Sequence, residues 1–411
     1  MTGTRYDAAV EKYRPVLERI AARAVDAELT RTLPFEQVEW LRAAGFGAAR
    51  IPVELGGDGL TWAELTRLLV DLATADSNVV QALRGHFALV EDQLYHHPHE
   101  DRSAWLRRFA SGELAGNAWT EPGAGGVATV LDGSGDDLTL TGRKFYTTGS
   151  IFADWIDAVA KRPDGSDVAV IVRARQDGVT ILDDWDGFGQ RLTGTGTTIF
   201  DGARVDPDAV FEFESRFRYQ TALYQHFHLA TLAGIAHAAA RDAADQVRSR
   251  TRAFTHNNAT LVRHDPQALA TVGQIRAVAY VATATALRAA DAIDAAFAAR
   301  DLDADAEHAV NVQTELETAQ AQVVLSTLVP QAVGSIFDAL GASSTSTAKA
   351  LDRHWRNART VATHNPWTLK AKVVGDHAVN GTEPVFVWGI GVQAPADAAS
   401  APGTGSEPVR V

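Results

Sequence analysis

The sequence predicts an α+β multidomain fold: an N-terminal helical domain, a middle β domain and a C-terminal helical bundle. Three observations predict it. The chain has 411 residues, a length that suits two to three domains. Its texture changes near residues 113 and 213, from helical to β-prone and back. Its last third carries alanine at steps of three and four, the spacing of closely packed helices.

From Arg5 to Gly112 the chain is rich in Ala, Leu and Glu, with breaks at Gly45–Gly47, Gly56–Gly59 and Pro98. This gives a helical domain over 1–112. From Glu113 the runs LTLTGRKFYTTG, VAVIVRA, GVTIL and GTTIFDGARV alternate with Gly, Asp and Thr. Short β-prone runs between turn residues are the pattern of a small antiparallel domain, here spanning 113–212. From 213 to 394 long helical faces return. Leu229, Leu232, Ala236, Ala239, Ala243 and Val247 share one face. Ile275, Val278, Ala282, Ala286, Ala290, Ile293 and Phe297 share another, and Val312, Leu316, Ala319 and Val323 mark a third. Residues 395–411, rich in Pro, Gly, Ser and Ala, are expected to be a disordered tail.

Composition excludes several functions. Lys and Arg number 38 against 51 acids, a net charge of −13. A general nucleic-acid binder needs a basic face. There is no cysteine, so disulfides, thiolate catalysis and Cys-ligated metals are excluded. No apolar run reaches membrane-span length, and the first residues lack the layout of a signal peptide. The expectation is a soluble, cytoplasmic protein.

Several motifs mislead. Gly123–Ala128 and Gly389–Ala394 match GxGxxA, but neither sits in a βαβ unit. The chain therefore shows no means of binding NAD(P)H by itself. His96, His97 and His99 are dense, yet Pro98 breaks the helix that would make them converge, so no metal site is expected. His226 and His228 are two apart and face different sides of a helix; either one could line a pocket.

Four segments carry a resemblance. They are GNAWTEPGAG from Gly116, TGRKFYTTG from Thr141, DDWDGFGQRLTGTGT from Asp183 and LDRHWRNART from Leu351. In this order they resemble the acyl-CoA dehydrogenase superfamily over nearly the whole chain. The wording GFGQRLTGTGTT, and LDRHWRNART followed by THNPWTLKAKVVG, is similar to its flavin-dependent monooxygenase branch. That branch includes dibenzothiophene monooxygenase and sulfur-acquisition oxygenases. The resemblance implies an acyl-CoA dehydrogenase-like fold with a middle β-barrel or sandwich, usually in a homotetramer. It implies a two-component enzyme using FMN, supplied as FMNH2 by a separate flavin reductase. O2 adds at flavin C4a, and one oxygen atom passes to a small-molecule substrate, an organosulfur compound being favoured.

The alternative is an FAD-dependent acyl-CoA dehydrogenase with a relocated base. Many dehydrogenases carry a catalytic Glu near the stretch Thr363–Trp367. Here no acid lies between Arg353 and Lys372, and proton abstraction needs a carboxylate within reach. A third reading is a scaffold or ligand-binding member without catalysis.

The resemblance also marks residues. His86 lies where the monooxygenase branch has a pocket histidine; otherwise it is a core residue. His364 occupies the place of the dehydrogenase base, or caps the helix that Asn365–Pro366 ends. Asn117 and Ser150 are placed near the flavin, or make ordinary strand-end hydrogen bonds. Trp119, Thr120, Tyr146, Thr147 and Thr148 form the expected flavin wall and polar contacts. Trp185 packs in the core or lines the substrate. Arg252 is the preferred partner of the FMN phosphate, with Arg250, Arg356 and Arg359 behind it.

Overall fold

The structure, a computed structural model, describes residues 4–121 and 128–387. Two stretches named above, the expected tail at 395–411 and the second GxGxxA, lie outside the described residues, as does most of the first GxGxxA. Seven helices come first: α1 (Arg5–Ala21), α2 (Ala24–Thr30), α3 (Phe35–Ala44), α4 (Trp62–Ala75), α5 (Ser77–Ala82), α6 (Arg84–His96) and α7 (Ser103–Ala110). Local chemistry starts them. Thr4 with Asp7 and Thr61 with Glu64 form reciprocal capping boxes at α1 and α4.

Eight strands follow: β1 (Ala115–Ala118), β2 (Val130–Asp132), β3 (Thr139–Lys144), β4 (Trp155–Lys161), β5 (Asp167–Arg173), β6 (Val179–Ile181), β7 (Thr198–Arg204) and β8 (Val210–Glu212). They form one sheet in the order β6-β7-β3-β2-β4-β5-β8, with β1 also paired to β4. The expected antiparallel pattern needs one correction: β4 takes β1 and β2 as parallel neighbours. β1 leaves the helical domain beside β4 rather than through a hairpin, and texture carries no sign of such long-range pairing.

The last five helices are α8 (Gln220–Ser249), α9 (Pro266–Ala299), α10 (Ala304–Gly334), α11 (Asp352–Ala362) and α12 (Trp367–Asn380). Asp265 caps α9 and Pro266 occupies its first turn, where a missing N–H costs nothing. The predicted face of α8 is wholly buried. On α9, Ile275, Ala282, Ala286, Ala290 and Ile293 are buried, while Val278 and Phe297 are half-buried. Residues from α1, α4, α8, α9 and α10 share one hydrophobic core. The two helical zones are thus packed together, and the sheet has its own core. No described helix is long and apolar enough to cross a membrane.

His226 ties this core together. Its Nδ1 accepts from Trp62 Nε1 at 2.9 Å, and its Nε2 lies 3.0 Å from the Ala286 carbonyl. Only the neutral ring, with its proton on Nε2, satisfies both. Burial accordingly pushes its pKa down to about 4. The unfolded imidazole takes its proton near pH 6.5, so the stability this group contributes is full above that value and drains as pH falls toward 4. The destabilisation caused by His226→Gln is therefore expected to shrink by about 2 kcal/mol between pH 8 and pH 5. Urea midpoints of both proteins at the two pH values test this; a constant gap would contradict it.

Candidate active site

The site lies where the α5–α6 junction, β1, the first turns of α8 and the α11–α12 link meet. Close backbone approach creates it. A Cβ on Gly85 would stand 2.9 Å from Asn117 Oδ1. Gly149 has φ +81, and a Cβ there would stand 2.0 Å from the Ala82 carbonyl oxygen. Only glycine serves at such a position, and it seats residues 147–150 against α5. Ser150 Oγ then donates to the Asn117 carbonyl at 3.2 Å. Both residues are buried, and Asn117 Oδ1 has no hydrogen-bond partner.

Trp119 continues this wall. Its Nε1 donates to Asp157 Oδ2 at 3.1 Å, and its ring meets Phe213 and Tyr224 edge-on, each at 5.6 Å. Arg216 lies 5.0 Å from the indole centroid and donates to Asp157 at 2.7 Å. Burial pushes the Asp157 carboxyl up and Arg216 opposes that push. On the other side is a hydroxyl ladder. Thr147 Oγ1 donates to the Gly196 carbonyl and accepts from Thr198, while Thr148, Thr195 and Thr193 are linked through their hydroxyls at 2.8 and 2.7 Å. Thr120 accepts from the Phe145 N–H at 2.8 Å. Tyr146 takes a left-handed φ of 58° and is half exposed, its ring 6.0 Å from Trp185. Trp185 Nε1 is spent on the Gly189 carbonyl.

Two histidines face each other at the far wall. The rings of His228 and His364 are 4.2 Å apart and tilted by 41°. Gln81 Nε2 lies 2.5 Å from His228 Nδ1, and His228 Nε2 has no partner. With Gln81 donating, His228 carries an unused Nε2–H. Burial, His364 and Arg84 hold the His228 ring neutral. His364 is exposed, with its ring against His228. Burial first, then Arg84, pushes its pKa down to about 3. The accessible edge works against that push, and the ring is neutral at pH 7 either way. Arg84, at the start of α6, is buried with its guanidinium 5.0 Å from the Tyr224 centroid. Tyr224 Oη has no partner, and burial raises its pKa.

Asn117, Ser150, Trp119, Thr147 and Thr148 thus adjoin one another, and His364 stands across the recess. Two expected residues do not join them. His86 is a core histidine: Nδ1 accepts from the Ala115 N–H at 3.2 Å and Nε2 lies 2.9 Å from the Gly47 carbonyl. Both nitrogens are spent on backbone, so no donor remains for a pocket. Arg252 is exposed in the loop after α8. From His228 to Ser249, α8 runs roughly 30 Å at about 1.5 Å per residue. Arg252 is therefore beyond the reach of an FMN whose ring lies at this recess. Arg356 is spent on Glu28 and Asp352. His96, His97 and His99 turn to Asp92, the Arg102 N–H and Asp301, and no metal-ligating cluster exists among the described residues.

Sequence reasoning missed Arg84, Gln81 and Tyr224. Arg84 left a signal: it is the one cation in the run from Ser77 to Leu94, all of it buried.

The orphaned Asn117 Oδ1, the hydroxyl ladder and the Trp119 wall fit a flavin ring, which needs a flat contact and polar partners at its edge. The acyl-CoA dehydrogenase N-terminal domain matches residues 8–113, and the C-terminal domain matches residues 227–367. A probable FMNH2-dependent monooxygenase of Pseudomonas putida, SfnC, is 25% identical over 384 residues, 90% of this chain and 94% of its own. Dibenzothiophene monooxygenase of Mycolicibacterium goodii is 25% identical over 93% of this chain and 96% of its own. The FMN-bound structure of TdsC from Paenibacillus sp. A11-2 superposes with a TM-score of 0.85 at 25% identity, covering 92% of this chain and 99% of that one. With both terminal domains matched and the helix–sheet–helix order in place, the chain belongs to the acyl-CoA dehydrogenase family, and these relatives are its flavin monooxygenases.

Proposed function

We infer that this chain is a two-component, FMNH2-dependent monooxygenase that transfers one oxygen atom from O2 to a small organic molecule, with organosulfur compounds favoured. One observation carries the choice over a dehydrogenase. Among the described residues, Arg84 acts on both His364 and His228, His364 acts on His228, and no carboxylate acts on either ring. A dehydrogenase base must reach a substrate proton, and this recess offers imidazoles in its place.

Bound reduced FMN supplies the electrons and the carbon that activates oxygen. The chain's own residues do the rest. Asn117, whose Oδ1 has no partner, would hold the polar edge of the flavin, while Ser150 and the Thr147–Thr148 turn hold that strand end in place. Trp119 provides the flat wall. His364, as the neutral ring, would donate a hydrogen bond toward the oxygen being transferred, with His228 packed against it. Arg84 on α6 and His228 on α8 are buried, and exclusion of water there would strengthen each of these contacts.

A separate reductase delivers the flavin, in keeping with a cytoplasmic location. The test is anaerobic mixing with FMNH2, then oxygen, with an organosulfur panel and product analysis. Acyl-CoA-dependent flavin reduction by the wild type would overturn the reading, and so would rapid NADH consumption by the purified chain with FMN.

Arg252 enters through a second copy. Its distance from His228 lets it serve only a flavin seated in a neighbouring protomer, so phosphate binding and a homotetramer form one proposal. Tyr280, Val324 and Val379, at 75%, 45% and 81% exposure, supply apolar surface on α9, α10 and α12 for such packing. Sedimentation at micromolar concentration is expected to give a tetramer, or at least a dimer. Arg252→Ala is expected to weaken FMN binding by about 1.5–3 kcal/mol, the worth of a charge-assisted contact. An unchanged Kd would move the phosphate to Arg250.

A further inference from the structure

Arg84 is a buried cation without a counter-charge among the described residues. It is 7% exposed, and its Nε has no partner. Other buried arginines differ. Arg50 meets Glu91 at 3.0 Å, Arg216 meets Asp157 at 2.7 Å and Arg353 meets Asp242 at 2.6 Å. Residues 122–127, Pro-Gly-Ala-Gly-Gly-Val, carry no charged side chain. Burying a charge without a partner is costly, so a persistent cation here points to a ligand that brings the missing charge.

The groups around Arg84 narrow that ligand. Tyr224 Oη lacks a partner, and so does His228 Nε2, which carries the proton when Gln81 donates to Nδ1. Guanidinium, phenol and imidazole N–H are all donors. A ligand made only of acceptors fits them, and a planar guanidinium grips a compact oxyanion through two parallel hydrogen bonds. Arg84 also acts on His228 and His364. An anion held by Arg84 therefore lies beside His364, the imidazole assigned to the oxygen transfer.

We propose that Arg84, with Tyr224 and His228, is the subsite for the anionic head of the substrate, and that the oxygenated molecule is a small organic oxyanion of the sulfinate or carboxylate class. The identification of this ligand as substrate rests on the monooxygenase reading. The subsite itself does not.

The experiment uses the full chain without flavin and follows tryptophan fluorescence during titration with benzenesulfinate, benzoate and the neutral methyl phenyl sulfoxide. The anions are expected to bind at least about tenfold more tightly than the sulfoxide, the scale of a charge-assisted hydrogen bond. Arg84→Gln is expected to erase that preference, leaving sulfoxide and FMNH2 binding within about threefold of wild type. Arg84→Lys keeps the charge without the fork and is expected to fall between them, so it reads the subsite even if the glutamine variant misfolds. No anion preference, or one that survives both substitutions, would overturn the proposal. Loss of FMNH2 affinity with anion binding intact would also overturn it, because the cation would then serve the flavin. If anions bind through Arg84 but FMNH2 and O2 yield no product, the monooxygenase reading fails and the subsite stands.

Discussion

His364→Ala is expected to lower oxygenated product by roughly 10²- to 10⁴-fold, the usual contribution of a positioned acid, base or donor. FMN binding and the fold are expected to survive, because the ring makes no link to the flavin wall. It packs on His228 across the recess. Reduced flavin in the variant still consumes oxygen, and the lost product appears as hydrogen peroxide. His364→Gln, which keeps a donor, is expected to recover part of the coupling. Full coupling in the alanine variant, read as product per oxygen consumed, would remove His364 from the chemistry.

The pH profile gives an independent check. The working form of His364 is the neutral imidazole; desolvation of the face against His228, then Arg84, pushes its pKa down toward about 3, against the pull of its exposed edge. A depressed imidazole loses its neutral form only as pH falls toward that value. The coupling ratio is thus expected to show no ionisation of this ring between about pH 6 and 9. An inflection near 6.5 that disappears in His364→Ala would mean that the ring titrates as in water.

What the sequence disclosed and what it hid follow from the range of each signal. Helix faces are local, so a step of three and four found the buried side of α8 residue by residue. The break at Asn365–Pro366 is local too, and the structure ends α11 at Ala362 and starts α12 at Trp367. His364 is exposed in that link because no helix covers it. Non-local geometry was illegible. An apolar-periodic histidine reads the same whether its nitrogens face a pocket or, as in His86, the Gly47 carbonyl and the Ala115 N–H. The motif around Arg252 carried no distance, and α8 is long enough to take it away from the recess. The parallel pairing of β1 with β4 joins residues such as Asn117 and Asp157, a register fixed by packing against the helical domain. Arg84 was overlooked for the opposite reason: one cation inside an apolar run was legible, but its meaning depended on the absence of a partner in space.

The second large effect is expected at Arg216. Its guanidinium is 2% exposed and donates to Asp157, whose side chain is fully buried, while Asp92 lies 3.4 Å away. Removing one member of a buried pair leaves an uncompensated charge and costs about 3–5 kcal/mol. Arg216→Ala strands two carboxylates and opens a void beneath Trp119, so the upper end of that range is expected. The Asp157 carboxyl, already pushed up by burial, is then pushed further toward its protonated form. Its hydrogen bond to Trp119 Nε1 weakens, and the flavin wall loses its anchor. Two readouts should move together: the urea midpoint falls, and FMN affinity drops although Arg216 is assigned no contact with the flavin. Combining Arg216→Met with Asp157→Asn and Asp92→Asn removes all three charges of the cluster and is expected to restore much of the stability, since replacing buried ionic groups by neutral ones of similar volume is often close to neutral. FMN affinity should return with it, because an asparagine carbonyl can still accept from the indole. A single variant as stable as wild type would mean that water reaches Asp157. Recovery of stability without recovery of FMN binding would place Trp119 outside the flavin wall.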